Sequence, residues 1–123
     1  MKKLFFLLLF LPLATPAFPA DLNGTTLTLS GAVQNIGTIL TAAAAVPGGA
    51  TCVKSVQLQA AAANANTTFV GGSAVANAAN AWAIIPVGSA IGFSYGPDTG
   101  CINTSSIYVI GTNGEKLHIS VIR

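Results

Sequence analysis

The chain has 123 residues, which is enough for one domain but too short for a nucleotide-binding unit with a separate substrate domain. Charged residues make up only 7% of it, against roughly 25% in an ordinary soluble domain. The chain has five Lys and Arg residues, of which Lys2 and Lys3 lie in the first 20 positions. Residues 21–123 therefore carry three basic and three acidic side chains and no net charge. That balance argues against binding of nucleic acid, which needs several basic side chains on one face.

The N-terminal segment has the order of a secretory signal peptide. Lys2 and Lys3 precede an apolar run at residues 4–13, and small residues follow up to Ala20. The run is about ten residues long, shorter than the roughly 20 that a membrane-spanning helix needs. We therefore predict a signal peptide at residues 1–20 and a β-sandwich domain at 21–123. An uncleaved anchor through residues 4–20 is the alternative.

Two cysteines, Cys52 and Cys101, are present. In the oxidising compartment that export implies, the natural interpretation is one disulfide, which closes a loop of about 50 residues. In a reducing cytosol the same residues would be two buried free thiols. The only histidine, His118, has no partner at metal-ligand spacing, so neither a metal site nor a cofactor is predicted.

Short runs of Val, Ile, Thr and aromatic residues alternate with Gly, Asn and Pro turns along the rest of the chain. They predict eight strands, near residues 25–29, 37–41, 52–59, 67–70, 81–85, 91–95, 107–110 and 117–121. The four alanines at 42–45 are too few to nucleate a helix. This spacing predicts an all-β fold, a small antiparallel β-sandwich or jelly roll.

The pattern also predicts which side chains share a face. Alternation in the third run places Cys52 and Lys54 with the apolar residues Val56 and Leu58. Later in the chain, Ile91, Phe93 and Tyr95 are expected on one face. The dipeptide Asn113-Gly114 predicts a two-residue hairpin before the last strand.

One sequence motif suggests catalysis. Gly92-Phe93-Ser94-Tyr95-Gly96 fits the G-x-S-x-G pattern, and Asp98 and His118 follow in the chain order of α/β-hydrolases. That motif requires a strand, a sharp turn and a helix, whereas here Pro97 follows a run of period two. We expect a glycine-bounded strand with an outward serine and predict no catalytic residues. A small exported hydrolase remains a remote alternative.

Three aromatic residues are candidates for a binding surface. Trp82, Tyr95 and Tyr108 could stack on a sugar ring. In so small a domain, however, aromatic side chains are more often needed to fill the core. We favour the core for all three.

Residues 52–123 resemble small β-sandwich structural proteins of bacteriophages, such as head-decoration, head-fibre and tail-associated proteins. The resemblance rests on Val56-x-Leu58-x-Ala60, the Asn-bearing turn at 64–66, the run 68–73 ending in Val-Gly-Gly-Ser, and the run 107–112. It implies a non-enzymatic virion component that forms a homo-oligomer, such as a trimer, or docks on a larger assembly. It transfers no catalytic residue.

The predicted signal peptide departs from that resemblance, because tailed phages assemble in the cytoplasm. An exported bacterial binding module for a glycan, or a pilin-like or adhesin-like subunit, is therefore the alternative to a phage or prophage virion protein. The low, balanced charge favours self-association in either case.

Overall fold

The computed structural model describes residues 22–43, 52–95 and 100–123, so the predicted signal segment lies outside the described part. Within these ranges there are ten strands, one α-helix and one 3₁₀ helix. The strands are β1 (Leu22–Thr28), β2 (Gln34–Asn35), β3 (Cys52–Val53), β4 (Ser55–Ala60), β5 (Thr68–Gly71), β6 (Ala81–Ile85), β7 (Ala90–Ser94), β8 (Ile102–Asn103), β9 (Tyr108–Ile110) and β10 (Lys116–Ile122). The helices are α1 (Ile36–Ala42) and the 3₁₀ helix Thr104–Ser106.

The strands form two main sheets and a small ribbon, all antiparallel. Sheet A has the order β1-β10-β4-β7, and sheet B has the order β2-β9-β5-β6. The ribbon pairs β3 with β8. The predicted small all-β sandwich is therefore confirmed.

Alternating side chains build the core of the sandwich. Along β10, Leu117, Ile119 and Val121 are buried, whereas His118 between them is exposed. The buried side chains on facing strands of both sheets are likewise aliphatic, among them Leu58. Full burial of one such side chain stabilises the fold by roughly 1.5–3 kcal/mol.

The first and last strands lie side by side. β1 pairs with β10 along its whole length, from Leu22 opposite Ile122 to Thr28 opposite Lys116. β1 forms one edge of sheet A and β7 forms the other. The two ends of the described chain therefore lie next to each other at the same end of sheet A.

The strand predicted at residues 37–41 is wrong, because this segment forms helix α1. The Asn35 side chain caps the helix by accepting a hydrogen bond from the Thr38 N–H at 3.0 Å. Ile36 and Leu40, four residues apart, are buried in the core. At Gly37, a Cβ atom would lie 2.7 Å from Ser105 Oγ, so the helix packs backbone against the 3₁₀ helix. Such tertiary contacts stabilise a helix that is too short to form alone.

The strand predicted at 52–59 is broken at Lys54, where the chain passes from the ribbon to sheet A. The Lys54 N–H donates to the Ile122 carbonyl at 2.7 Å, and the Lys54 carbonyl accepts from the Tyr95 N–H at 3.0 Å. Cys52 and Lys54 are exposed, whereas Val53 is buried. The expected face shared by Cys52, Lys54 and the apolar residues of β4 is therefore wrong, because the break shifts the alternation.

Asn113-Gly114 forms a turn, but not the predicted hairpin. The Glu115 N–H donates to the Thr112 carbonyl at 3.2 Å, and Gly114 has a φ of 89°. The turn joins β9 in sheet B to β10 in sheet A, which do not pair. A second hydrogen bond, from the Gly114 N–H to the Leu29 carbonyl at 2.9 Å, ties the turn to the end of β1.

Polar side chains fix the loop between β4 and β5 to the start of β10. The buried Asn64 side chain donates to the Lys116 carbonyl and accepts from the Lys116 N–H, both at 2.9 Å. Glu115 Oε1 accepts from the backbone N–H groups of Ala65 at 2.8 Å and Asn66 at 2.9 Å. The loop thus obtains hydrogen bonds that no strand neighbour supplies.

Candidate functional site

A cavity with both apolar and polar walls opens between the edge of sheet A at β7 and the edge of sheet B at β6. We call it the Trp82 groove; its volume is about 560 Å³. Its lining residues share a lack of ionisable side chains, and they are Trp82, Gly92, Phe93, Ser94, Ile102, Ser106 and Ile107. Clefts of this size with apolar walls and a few hydroxyl groups are typical of binding sites.

A β-bulge positions Trp82 at the groove. In the pairing of β5 with β6, Val70 lies opposite Ala83 and Gly71 lies opposite Ala81, which leaves Trp82 as the extra residue. A Cβ atom added at Gly72 would lie 3.4 Å from Trp82 Cζ2, so this glycine leaves room beside the indole. Trp82 is 60% exposed, so most of this large side chain is accessible to a partner.

The backbone of β7 adds polar groups to the groove. The Ala60 N–H donates to the Ser89 carbonyl, and the Tyr95 N–H donates to the Lys54 carbonyl, both at 3.0 Å. In an antiparallel pair these bonds recur at every second residue, so positions 89, 91, 93 and 95 face β4. The N–H and C=O groups of positions 90, 92 and 94 therefore point away from the sheet, with no partner among the described residues.

A disulfide holds together the ribbon that supplies the groove residue Ile102. Cys52 and Cys101 are bonded, with their Cα atoms 5.1 Å apart, and the predicted disulfide is thereby confirmed. The bond links the two strands of the ribbon, in which buried Val53 pairs with the groove residue Ile102. Disulfides persist in oxidising environments, so this bond favours an exported protein.

The three candidate aromatic residues are not brought together into one patch. Of Trp82, Tyr95 and Tyr108, only Trp82 lines the groove. Tyr95 is 54% exposed just beyond β7, and Tyr108 is half-buried on β9. The expectation that these aromatics fill the core is wrong, because the fully buried side chains of the described core are aliphatic.

Tyr95 is more exposed than Ile91 and Phe93, with which it was expected to share a face. Those two residues pack against the core, whereas Tyr95 follows the end of β7 and lies against Gly100. A Cβ atom at Gly100 would clash with the Tyr95 ring, so a glycine is required there.

The residues of the hydrolase pattern do not converge. Ser94 lies on β7, and His118 lies opposite Gln59 and two strands away on β10. Strand spacings of about 4.8 Å and rises of about 3.4 Å per residue place the two Cα atoms roughly 16 Å apart. His118 Nδ1 is instead hydrogen-bonded to the Thr26 hydroxyl at 2.9 Å. Asp98 lies outside the described residues.

A second cavity lies on the outer face of sheet B. It has a volume of about 470 Å³, and Phe69 and Ile110 are its main apolar walls. The neighbouring loop at 72–80 is fixed by Asn80, whose side chain accepts from the Ala76 N–H at 2.9 Å and donates to the Ala74 carbonyl. This cavity lacks the free strand edge that borders the Trp82 groove.

No group of three or more His, Cys, Asp and Glu side chains in residues 22–43, 52–95 and 100–123 is close enough to hold a metal ion. In the same ranges, no helix has the length and apolar character needed to cross a bilayer.

A scan against protein-family models, a search of curated proteins and a search of solved structures each found no match for this chain. The fold and the groove define a disulfide-bonded β-sandwich with an open, apolar edge. Function is therefore inferred from the chemistry of that edge.

Proposed function

We propose that the protein is an exported, non-enzymatic assembly subunit, a structural or surface-attachment β-domain of a phage virion or a prophage-encoded particle. Its main support is the distribution of exposed apolar side chains. Six large apolar side chains are exposed in the described residues, and four of them lie between positions 82 and 95: Trp82, Ile84, Val87 and Tyr95. Exposed apolar side chains on and around the neighbouring edge strands β6 and β7 are available for association with another protein.

Charge supports the same proposal. Residues 21–123 carry three basic and three acidic side chains, and none of these lies in the segment 81–95. Copies of a near-neutral protein repel one another only weakly, so association is favoured. In addition, the lining of the Trp82 groove has no acid or base, whereas an enzyme needs such groups converging on a pocket.

The experiment that tests this function is sedimentation of particles from a culture that produces the protein. The expected result is that the mature protein co-sediments with particles in a density gradient and begins near Phe18 or Asp21 by mass spectrometry. Recovery only as a free monomer in the periplasm, with no particle-bound fraction, would overturn the proposal.

A glycan-binding module is the second candidate, and the position of Trp82 favours it. The indole borders the groove together with the hydroxyl-bearing residue Ser106, which suits stacking on a sugar with a hydrogen bond at its rim. Titration with a panel of glycans should then quench the fluorescence of Trp82, the only tryptophan in the chain. A Ser106→Ala variant should weaken that quenching, whereas a Tyr108→Phe control should retain it.

A further inference from the structure

We propose that two copies of the chain join through β7, antiparallel and centred on Gly92, so that two copies of sheet A become one continuous eight-stranded sheet. The inference rests on the proposed function, because it names the partner of the open edge: a second copy of the same chain. Sheet A contributes four strands from each copy.

The backbone of β7 is complementary to itself. The free N–H and C=O groups belong to Ala90, Gly92 and Ser94, which are symmetric about Gly92. A two-fold axis at Gly92 places Ala90 of one copy opposite Ser94 of the other, and Gly92 opposite Gly92. In each of these pairs the two facing residues exchange two N–H···O=C hydrogen bonds, as hydrogen-bonded pairs do in an antiparallel ladder.

The side chains are compatible with that register. On the core side, Ile91 of one copy lies opposite Phe93 of the other, and both residues are only partly buried in the single chain. These apolar cross-strand pairs sit beside the Trp82 groove and cover its exposed wall. On the outer side, the facing residues are the small Ala90, Gly92 and Ser94, which allow close approach without a clash.

The edge lacks the features that normally prevent such pairing. Natural edge strands are protected by charged residues, prolines or bulges. The five residues of β7 include none of these, and its pairing with β4 is regular throughout. By contrast, β6 at the neighbouring edge of sheet B carries the bulge at Trp82. Two identical copies also do not repel each other at this edge, because no ionisable side chain is present between positions 81 and 94.

A cysteine at the axis tests the register directly. In a hydrogen-bonded antiparallel pair the facing Cα atoms lie about 5.5 Å apart, which a disulfide spans. Gly92→Cys should therefore give a covalent dimer under mild oxidation, and mass spectrometry should find the Cys52–Cys101 bond intact. Gln57→Cys is the matched control: Gln57 lies opposite Gly92 on the same face but on an internal strand, so it should remain monomeric under the same conditions.

A charge at the axis tests the energetics. Gly92→Lys places two like charges opposite each other and should weaken self-association, measured by sedimentation, about tenfold or more. Gln57→Lys, the matched control, should associate like the wild type. A mixture of Gly92→Lys and Gly92→Glu should recover association as a heterodimer. The substitutions fit the folded chain, since the nearest atom to a Cβ at Gly92 is the Val56 carbonyl oxygen at 3.9 Å; circular dichroism verifies the fold.

The outcomes separate this inference from the proposed function. Cross-linking through Gly92→Cys together with loss of association in Gly92→Lys supports the β7 dimer. If the wild type associates but neither variant behaves differently from its Gln57 control, another surface makes the contact, and the β7 inference is overturned while the assembly function stands. A wild type that stays monomeric over the whole concentration series also overturns it, and the sedimentation of particles then decides the function independently.

Discussion

Glu115 and Asn66 are joined by two hydrogen bonds to one carboxylate oxygen. Glu115 Oε1 accepts from the backbone N–H of Asn66 at 2.9 Å and from its side-chain Nδ2 at 3.1 Å. The same oxygen accepts from the Ala65 N–H. Burial alone would raise the pKa of Glu115, but these hydrogen bonds favour the ionised form and hold its pKa below the ordinary 4.5.

A pH dependence of stability follows from this lowered pKa. Because the folded state binds the proton more weakly than the unfolded state, the contribution of Glu115 is fully present above pH 4.5 and is lost as the pH falls through the folded pKa. Glu115→Gln should therefore lower the free energy of unfolding at pH 7, and its difference from the wild type should shrink in acid. Urea denaturation at several pH values measures it. A difference that is constant with pH would contradict the explanation.

The disulfide should contribute substantially to stability. The Cys52–Cys101 bond spans 49 positions of sequence, and closing a loop of that length stabilises a fold by roughly 2–4 kcal/mol. Cys52→Ser with Cys101→Ser should lower the free energy of unfolding by about that amount, measured by urea denaturation. Reduction of the wild type with dithiothreitol should reproduce the change, and an unchanged denaturation midpoint would argue against it.

Neighbouring residues of β4 should differ sharply in their sensitivity to truncation. Leu58 is completely buried, so Leu58→Ala should cost about 2–5 kcal/mol through lost contacts and a cavity. The adjacent Gln59 is exposed on the opposite face, and Gln59→Ala should change stability by less than about 0.5 kcal/mol. Thermal unfolding of the two variants gives the comparison. If both variants lost the same free energy of unfolding, the assignment of Leu58 to the core face and Gln59 to the outer face of β4 would be contradicted.

Asn64 should be among the most important polar side chains in the fold. Its amide makes hydrogen bonds in both directions with the backbone of Lys116. Asn64→Ala removes the acceptor of the Lys116 N–H, which costs about 1–3 kcal/mol, whereas the Lys116 carbonyl keeps the Ala61 N–H as a donor at 3.1 Å. Asn64→Asp should also be destabilising, since a carboxylate cannot donate to the Lys116 carbonyl. Asn113→Ala, at an exposed turn, is the control; a variant at position 64 that is as stable as the control would contradict the role.

Local pattern was a sound guide to the strands but not to their partners. Alternation identified the inward face of β10, because Leu117, Ile119 and Val121 must all be buried for one face to form the core. The sheet order β1-β10-β4-β7 depends on contacts between distant segments, which no local period encodes. The Asn113-Gly114 turn is an example: the dipeptide predicted a turn, but it did not predict that the turn joins strands of two different sheets.

Helix α1 was missed because its stability is tertiary. Seven residues that include Gly37 and two threonines have little tendency to form a helix alone. A weak signal was present, since Asn35 is a favourable N-cap and Ile36 and Leu40 stand four residues apart. The Trp82 groove was not predictable for a related reason. It depends on a bulge and on Ile102 and Ile107 approaching from elsewhere in the chain.

The pairing of Leu22 with Ile122 places the two ends of the described chain side by side. Leu22 and Ile122 lie side by side at one end of sheet A, on the edge strand β1 and its neighbour β10, whereas β7 forms the opposite edge. A fusion partner, affinity tag or surface tether attached at residue 22 would therefore leave from the edge strand farthest from β7. The domain can be held from one side while its other side stays open, and a circular permutant that joins residue 122 to residue 22 through a short linker should keep the same fold.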